Sequence, residues 1–122
     1  MKRIVIIVGL LIGFVALAQA QEDVTVIKLD QTPGKFEKEG LTLKPGKYIF
    51  EVTNAGVDHE LGFVIAPVKN GKEGGHIKDG YLANAIKDGE TSRSKIVILE
   101  EGEYNYFCPL NPTPHYKIKV EK

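Results

Sequence analysis

The chain has 122 residues with 16 basic and 16 acidic side chains, a formal net charge of zero and one cysteine. The charges of both signs are scattered along the chain, which excludes the basic surface that nucleic acid requires and gives no membrane-binding patch. The length allows one compact domain and excludes a multidomain assembly.

The first element in chain order is a predicted cleavable signal peptide over residues 1–20. Two basic residues precede an apolar run over 4–17, and the tripeptide Ala-Gln-Ala then ends at residue 20, which matches the small-x-small pattern that signal peptidase reads. The apolar run is short for a membrane span, and a retained N-terminal anchor is the alternative. We therefore expect a domain over 21–122 that is periplasmic or secreted, monomeric and free of the membrane.

Apolar and polar residues alternate with period two through most of the mature region, which predicts β-strands. In chain order the predicted strands cover 24–29, 41–43, 48–53, 61–66, 96–99, 103–107 and 116–120. The alternation weakens between 70 and 94, where one short helix is predicted around 81–87. Several short strands joined by Gly and Pro turns predict an all-β fold, with a Greek-key β-sandwich preferred.

The single cysteine, Cys108, is the main candidate for chemistry. A lone thiol in an oxidising compartment is reactive unless it is buried, paired with another chain or bound to metal. A loop with three prolines over 109–114 separates Cys108 from His115, and the proline rings restrict this loop. Thiolate and imidazole ligands suit copper or zinc. The alternatives are that Cys108 is a buried apolar residue and that His115 only caps the loop.

Two other histidines and one carboxylate complete the candidates. His59 lies just past a predicted strand and is either a ligand or a hydrogen-bonded loop residue. His76 lies in a glycine-rich stretch and is interpreted as a surface residue, as is Glu60 beside His59. There is no Ser–His–acid set, carboxylate pair or phosphate-binding glycine loop, so an enzyme is not expected.

Three segments resemble the cupredoxins, the blue copper proteins of the plastocyanin and amicyanin type. The segment LTLKPGKYIFEVTN over 41–54 resembles their second and third strands. Asn54-x-Gly56-x-x-His59 is similar to the segment with their first histidine ligand, and GEYNYFCP over 102–109 is similar to the strand that delivers their copper thiolate. The resemblance covers roughly 24–122 and implies a Greek-key sandwich with one copper ion at one end.

The ligand loop departs from that family. In cupredoxins a second histidine follows the cysteine after two to four residues, and an axial methionine comes later. Here the third residue after Cys108 is Asn111, the next histidine is His115, and no methionine follows Met1. The resemblance therefore implies an atypical site without axial methionine.

Three arrangements remain open for this site. Copper is held by His59, Cys108 and His115, with a backbone carbonyl, Glu60 or water as a weak axial ligand. Alternatively, His115 is axial and Asn111 or solvent takes the equatorial place. In the third arrangement the site has degenerated and binds no copper.

The function expected from this resemblance is that of an exported one-electron carrier that docks on a redox partner protein. One alternative is a periplasmic copper-binding or delivery protein that works with a copper-handling partner. The other is a metal-free cupredoxin-like domain that acts as an interaction module.

Overall fold

The computed structural model describes residues 23–122, so the predicted signal peptide and its cleavage site lie outside the described residues. Within these described residues, ten strands and one 3₁₀ turn make up the fold. They are β1 (Val24–Thr32), β2 (Lys35–Phe36), β3 (Leu41–Leu43), β4 (Gly46–Asn54), β5 (Val64–Lys69), β6 (Lys72–Glu73), the 3₁₀ turn Lys78–Gly80, β7 (Thr91–Arg93), β8 (Val97–Leu99), β9 (Gly102–Phe107) and β10 (Tyr116–Val120).

The strands form two five-stranded sheets. The first sheet has the order β2-β1-β4-β7, with β8 also paired to β4, and the second has the order β3-β10-β9-β5-β6. β1 is parallel to β4, and β3 is parallel to β10, whereas the other pairs are antiparallel. The chain thus passes repeatedly between the sheets, and the predicted all-β Greek-key sandwich is confirmed.

The core lies between the two sheets and follows the predicted alternation. Tyr48, Phe50 and Val52 of β4 are buried, while the residues between them are partly exposed. An aromatic cluster joins the sheets, because Phe36 lies 5.2 Å from Tyr106 and Phe50 lies 5.2 Å from Phe63, between ring centroids. Each fully buried aromatic ring contributes about 2–3 kcal/mol of hydrophobic stabilisation, so this cluster anchors the strands that carry the site.

The short helix predicted around 81–87 is wrong. This segment is irregular, because its backbone pairs with neighbouring chain: Leu82 bridges to Ser94, and Ile86 bridges to Leu61. The N–H of Ala83 likewise donates to the carbonyl of Arg93 at 2.9 Å. Amides used in this way cannot form the i to i−4 bonds of a helix. Within residues 23–122, no helix is long and apolar enough to cross a membrane.

Candidate metal centre

Cys108 directly follows β9 and lies in the core between the sheets, 3% exposed. Its sulfur accepts two backbone hydrogen bonds, from the N–H of Gly62 and the N–H of Leu110, each at 3.4 Å. The N–H of Cys108 donates to Oγ1 of Thr113 at 3.1 Å, which ties the proline loop to the end of the strand. Donors directed at the sulfur stabilise negative charge there, the form in which cysteine binds metal.

His59 lies on a loop that the buried side chain of Asn54 organises. Oδ1 of Asn54 accepts the N–H of Val57 at 2.8 Å, and Nδ2 donates to the carbonyls of Val57 and His59 at 3.1 Å and of Ile86 at 3.2 Å. The imidazole of His59 is exposed, and its Nδ1 lies 3.1 Å from the carbonyl oxygen of Glu60. Because a carbonyl only accepts, this contact requires the proton on Nδ1 and leaves Nε2 unprotonated in the neutral ring.

His115 lies away from the sulfur, on the outer face of the second sheet. Its ring stacks on Phe107 with centroids 3.8 Å apart and planes 3° from parallel, and its Nδ1 lies 2.7 Å from Oε1 of Glu73. Successive side chains of a strand point to opposite faces, so Phe107 faces outward and Cys108 inward. Cys108 and His115, which flank the proline loop, therefore place the thiol and the imidazole on opposite sides of the second sheet.

His76 approaches the same outer surface. Its ring centroid lies 5.9 Å from that of Phe107, and its Nδ1 lies 2.9 Å from the hydroxyl of Tyr81. The side chain is exposed, in agreement with the surface position predicted for it. Phe107 is thus covered by two imidazole rings, one stacked and one edge-on.

Glu73 is the acidic partner of this outer cluster. Burial raises the pKa of its carboxyl group, but hydrogen bonds from Asn105 and His115, together with the charges of His115 and His76, outweigh that effect. The pKa of Glu73 is therefore lowered from its ordinary value, and the carboxylate is favoured.

Asn111 occupies the place where the family resemblance expects the second histidine, and it is buried at 2% exposure. Its Oδ1 accepts the N–H of Gly34 at 2.9 Å, and its Nδ2 donates to Oε1 of Gln31 at 3.2 Å and to the carbonyl of Thr32 at 3.0 Å. Both ends of the amide therefore have protein partners. Glu60, the other weak candidate, is exposed.

The predicted ligands do not converge in this conformation. Across residues 23–122 no three His, Cys, Asp or Glu side chains lie close enough together to hold a metal ion. Cys108 fits a copper centre, because its sulfur is buried and receives two N–H donors. His59 and His115 do not complete a three-ligand centre as they stand, so the full ligand set stays a prediction.

Sequence reasoning missed several residues that shape this end of the molecule. Gln31 is fully buried. Because it lies two residues after the inward-facing Leu29 in β1, the period-two alternation alone indicates a polar side chain in the core. No sequence signal could have paired Glu73 with His115, since these residues lie 42 positions apart. The N–H donors of Gly62 and Leu110 depend on loop geometry in the same way.

Comparison with known proteins agrees with the fold. The profile of the copper binding proteins of the plastocyanin/azurin family matches residues 23–121. The chain is 32% identical over 110 residues to chloroplastic plastocyanin of Chlamydomonas reinhardtii, an alignment that covers 88% of this chain and 72% of that protein.

Two solved structures share the fold at low sequence identity. Auracyanin B superposes with a TM-score of 0.65 at 11% identity, covering 84% of this chain and 91% of auracyanin B. Auracyanin A, a blue copper protein of Chloroflexus aurantiacus, superposes with a TM-score of 0.64 at 13% identity, covering 81% of this chain and all of auracyanin A (100%). With the profile match and the plastocyanin identity, the chain belongs to the plastocyanin/azurin family of copper binding proteins.

Proposed function

We propose that this protein binds one copper ion through the thiolate of Cys108 and carries single electrons between partner proteins outside the cytoplasm. The observation that carries the proposal is the buried sulfur with two backbone N–H donors, from Gly62 and Leu110, at the end of β9. Family membership supports copper as the metal. When bound, copper supplies the one-electron couple.

His59 is the second ligand of the proposal. It precedes by three residues the Gly62 whose N–H binds the sulfur, and its Nδ1 is held by a backbone carbonyl. Metal-binding histidines commonly donate their other ring N–H in this way, which fixes the ring and leaves one nitrogen for the metal. His115 joins the ligand set only if its ring leaves Phe107 and Glu73. Asn111 joins it only if its amide gives up the hydrogen bonds to Gly34, Gln31 and Thr32.

Leu110 provides a short connection between the sulfur and the surface. Its N–H donates to Sγ of Cys108 at 3.4 Å, while its side chain is 53% exposed. Beside it, Pro109 and Leu110 border a groove of about 170 Å³ that is lined mainly by apolar side chains, including Leu82 and Ala85. A brief, weak encounter with a redox partner needs only a small surface of this kind.

The second candidate is a metal-free domain that acts as an interaction module. It is favoured by the position of His115 on the outer face and by the amide of Asn111, which is already hydrogen-bonded at both ends. A copper delivery protein is the remaining alternative, in which affinity matters and electron exchange does not.

Titration of the mature protein with Cu(II) and with Cu(I) distinguishes these functions. We expect one equivalent to bind, with an intense visible thiolate-to-copper band and reversible reduction. Cys108→Ala should abolish the band, and His59→Ala should weaken binding. The matched control is His76→Ala, which removes a histidine near Phe107 that is not a predicted ligand.

Two results would contradict this proposal, and a third decides whether His115 belongs to the ligand set. A chain that binds neither oxidation state is the metal-free domain. A chain that binds copper tightly without reversible reduction is a delivery protein. If His115→Ala binds copper as wild type does, His115 is not a ligand.

A further inference from the structure

The proline loop over 109–114, here called the cysteine loop, is connected to β1 by a line of three hydrogen bonds, one buried and two partly buried. Asn111 bonds to Gln31 through Nδ2 and Oε1 at 3.2 Å, and Nε2 of Gln31 donates to the carbonyl of Gly62 at 2.8 Å. The N–H of Gly62 in turn donates to Sγ of Cys108 at 3.4 Å. The line therefore runs from Asn111 through two partners to the sulfur.

The two amides at the centre of this line are shielded from water. Gln31 is 0% exposed and Asn111 is 2% exposed. Asn111 also accepts the N–H of Gly34 and donates to the carbonyl of Thr32, which closes the β1–β2 turn onto the cysteine loop. A buried amide left without partners destabilises a fold much more than a bonded one stabilises it, so these groups hold each other in place.

The sulfur receives its second donor from the residue next to Asn111. The N–H of Leu110 lies 3.4 Å from Sγ. Holding the side chain of Asn111 in place therefore also holds the backbone at Leu110. Both N–H groups that donate to Sγ, those of Gly62 and Leu110, thus depend on the side-chain amides of Asn111 and Gln31. Each of these contacts joins two groups of the protein itself.

We infer that the Asn111–Gln31 pair is a metal-independent lock that keeps the cysteine loop closed and shields the Cys108 thiol. A loop that relied on a metal ligand at position 111 would lose its anchor in the metal-free chain. Here the amide pair provides that anchor, and Asn111 is a positioning residue for the sulfur. An exported lone thiol encounters oxidants and other thiols, and its rate of modification depends on its exposure.

The inference goes beyond the proposed function, because it concerns the metal-free chain and stands whether or not copper binds. It also differs from ordinary core packing in one measurable respect. If the amides only fill space, their loss exposes Cys108 through unfolding of the whole domain. If they are a lock, their loss exposes Cys108 through opening of the loop alone.

Thiol labelling of the metal-free mature protein tests this difference. In the reaction with 5,5′-dithiobis(2-nitrobenzoic acid), the thiolate attacks the reagent's disulfide and coloured thionitrobenzoate leaves. We expect Asn111→Ala to react about tenfold faster than wild type without urea. The rate should change little at low urea, since local opening exposes little surface.

The matched control is Asn105→Ala. Asn105 lies three residues before Cys108, as Asn111 lies three after it, but its side chain donates to Glu73 on the outer face. This variant should label at the wild-type rate. Labelling of Asn111→Ala at the wild-type rate, or at a rate that rises with urea in parallel with global unfolding, would overturn the lock.

Amide hydrogen exchange of the wild type provides a second test that needs no variant. The lock predicts that the amides of Gly34, Gly62 and Leu110 exchange through one common opening event with the same dependence on urea. Separate opening events for Gly34 and for Gly62 would show that the line does not act as a unit, and the inference would fail even if Asn111→Ala did not fold.

Discussion

Two buried asparagines organise the two loops at this end of the sandwich, and they do so over very different distances along the chain. Asn54 holds the loop between β4 and β5 that carries His59, here called the histidine loop, mainly through Val57 and His59, three and five residues away. Asn111 holds the cysteine loop through residues at the end of β1 and in the β1–β2 turn, 77 to 80 positions away. The first loop is shaped by its own sequence, whereas the second depends on the assembled sheets.

The largest effect is expected from Asn54→Ala. Four buried or partly buried backbone contacts lose their partner, and we expect the free energy of unfolding to fall by about 4 kcal/mol. Urea unfolding measures this change, with the exposed Asn84→Ala as control. A loss below about 1 kcal/mol would show that the histidine loop does not need its asparagine.

A double variant sharpens the contrast by testing whether the distant pair acts as a unit. Asn111→Leu and Gln31→Met should each lower the free energy of unfolding by about 2–3 kcal/mol, because each substitution leaves polar groups of the other residue without a hydrogen-bond partner. The double variant should lose about 1 kcal/mol less free energy of unfolding than the two single variants lose together. The reason is that the side chain left without its hydrogen-bond partner in each single variant is also removed in the double variant. Strict additivity in urea unfolding would contradict the pairing.

The hydroxyl group of Tyr106 also makes long-range contacts, and it adds a pH dependence to the stability of the fold. Its hydroxyl donates to the carbonyl of Lys38 at 2.7 Å and accepts the N–H of Gly40 at 2.9 Å. Burial raises the pKa of Tyr106, and this effect outweighs the hydrogen bond from Gly40. The folded state therefore favours the protonated phenol, and this stabilisation is complete below the unfolded tyrosine pKa of about 10 and is lost as pH rises through the raised folded value.

Tyr106→Phe removes that part of the alkaline dependence. We also expect it to lower stability at neutral pH by about 1–2 kcal/mol, because Lys38 and Gly40 each lose a partner. Urea unfolding from pH 7 to 11, beside the exposed Tyr81→Phe, measures both effects. An unchanged alkaline profile in Tyr106→Phe would assign the pH dependence to other groups.

The smallest effect is expected from His115→Ala on the outer face. The contact of His115 with Glu73 joins side chains that are 46% and 27% exposed, so we expect at most about 1 kcal/mol, including the stacking on Phe107. Thermal unfolding at low and high salt measures this contribution. A loss of several kcal/mol would mean that the outer cluster, and not only the interior, holds the cysteine loop.

Local sequence patterns were sufficient to predict seven of the ten strands and their buried faces, because period-two alternation and turn residues are local properties. The short strands β2, β6 and β7 were not predicted. The sequence also marked the Asn54–His59 segment, whose main hydrogen bonds span only a few residues. The prediction of a helix around 81–87 is wrong because this segment forms bridges to Leu61 and Ser94 in place of local hydrogen bonds.

The surroundings of Cys108 and His115, in contrast, depend on contacts between residues far apart in the chain. The pairing of β9 with β5 and β10 turns Cys108 inward and Phe107 outward. The short strand β6 then brings Glu73 to His115. Likewise, Asn111 meets Gln31 across 80 positions because β1 and the cysteine loop close the same end of the sandwich. Such contacts follow from strand order and register, which no local pattern encodes.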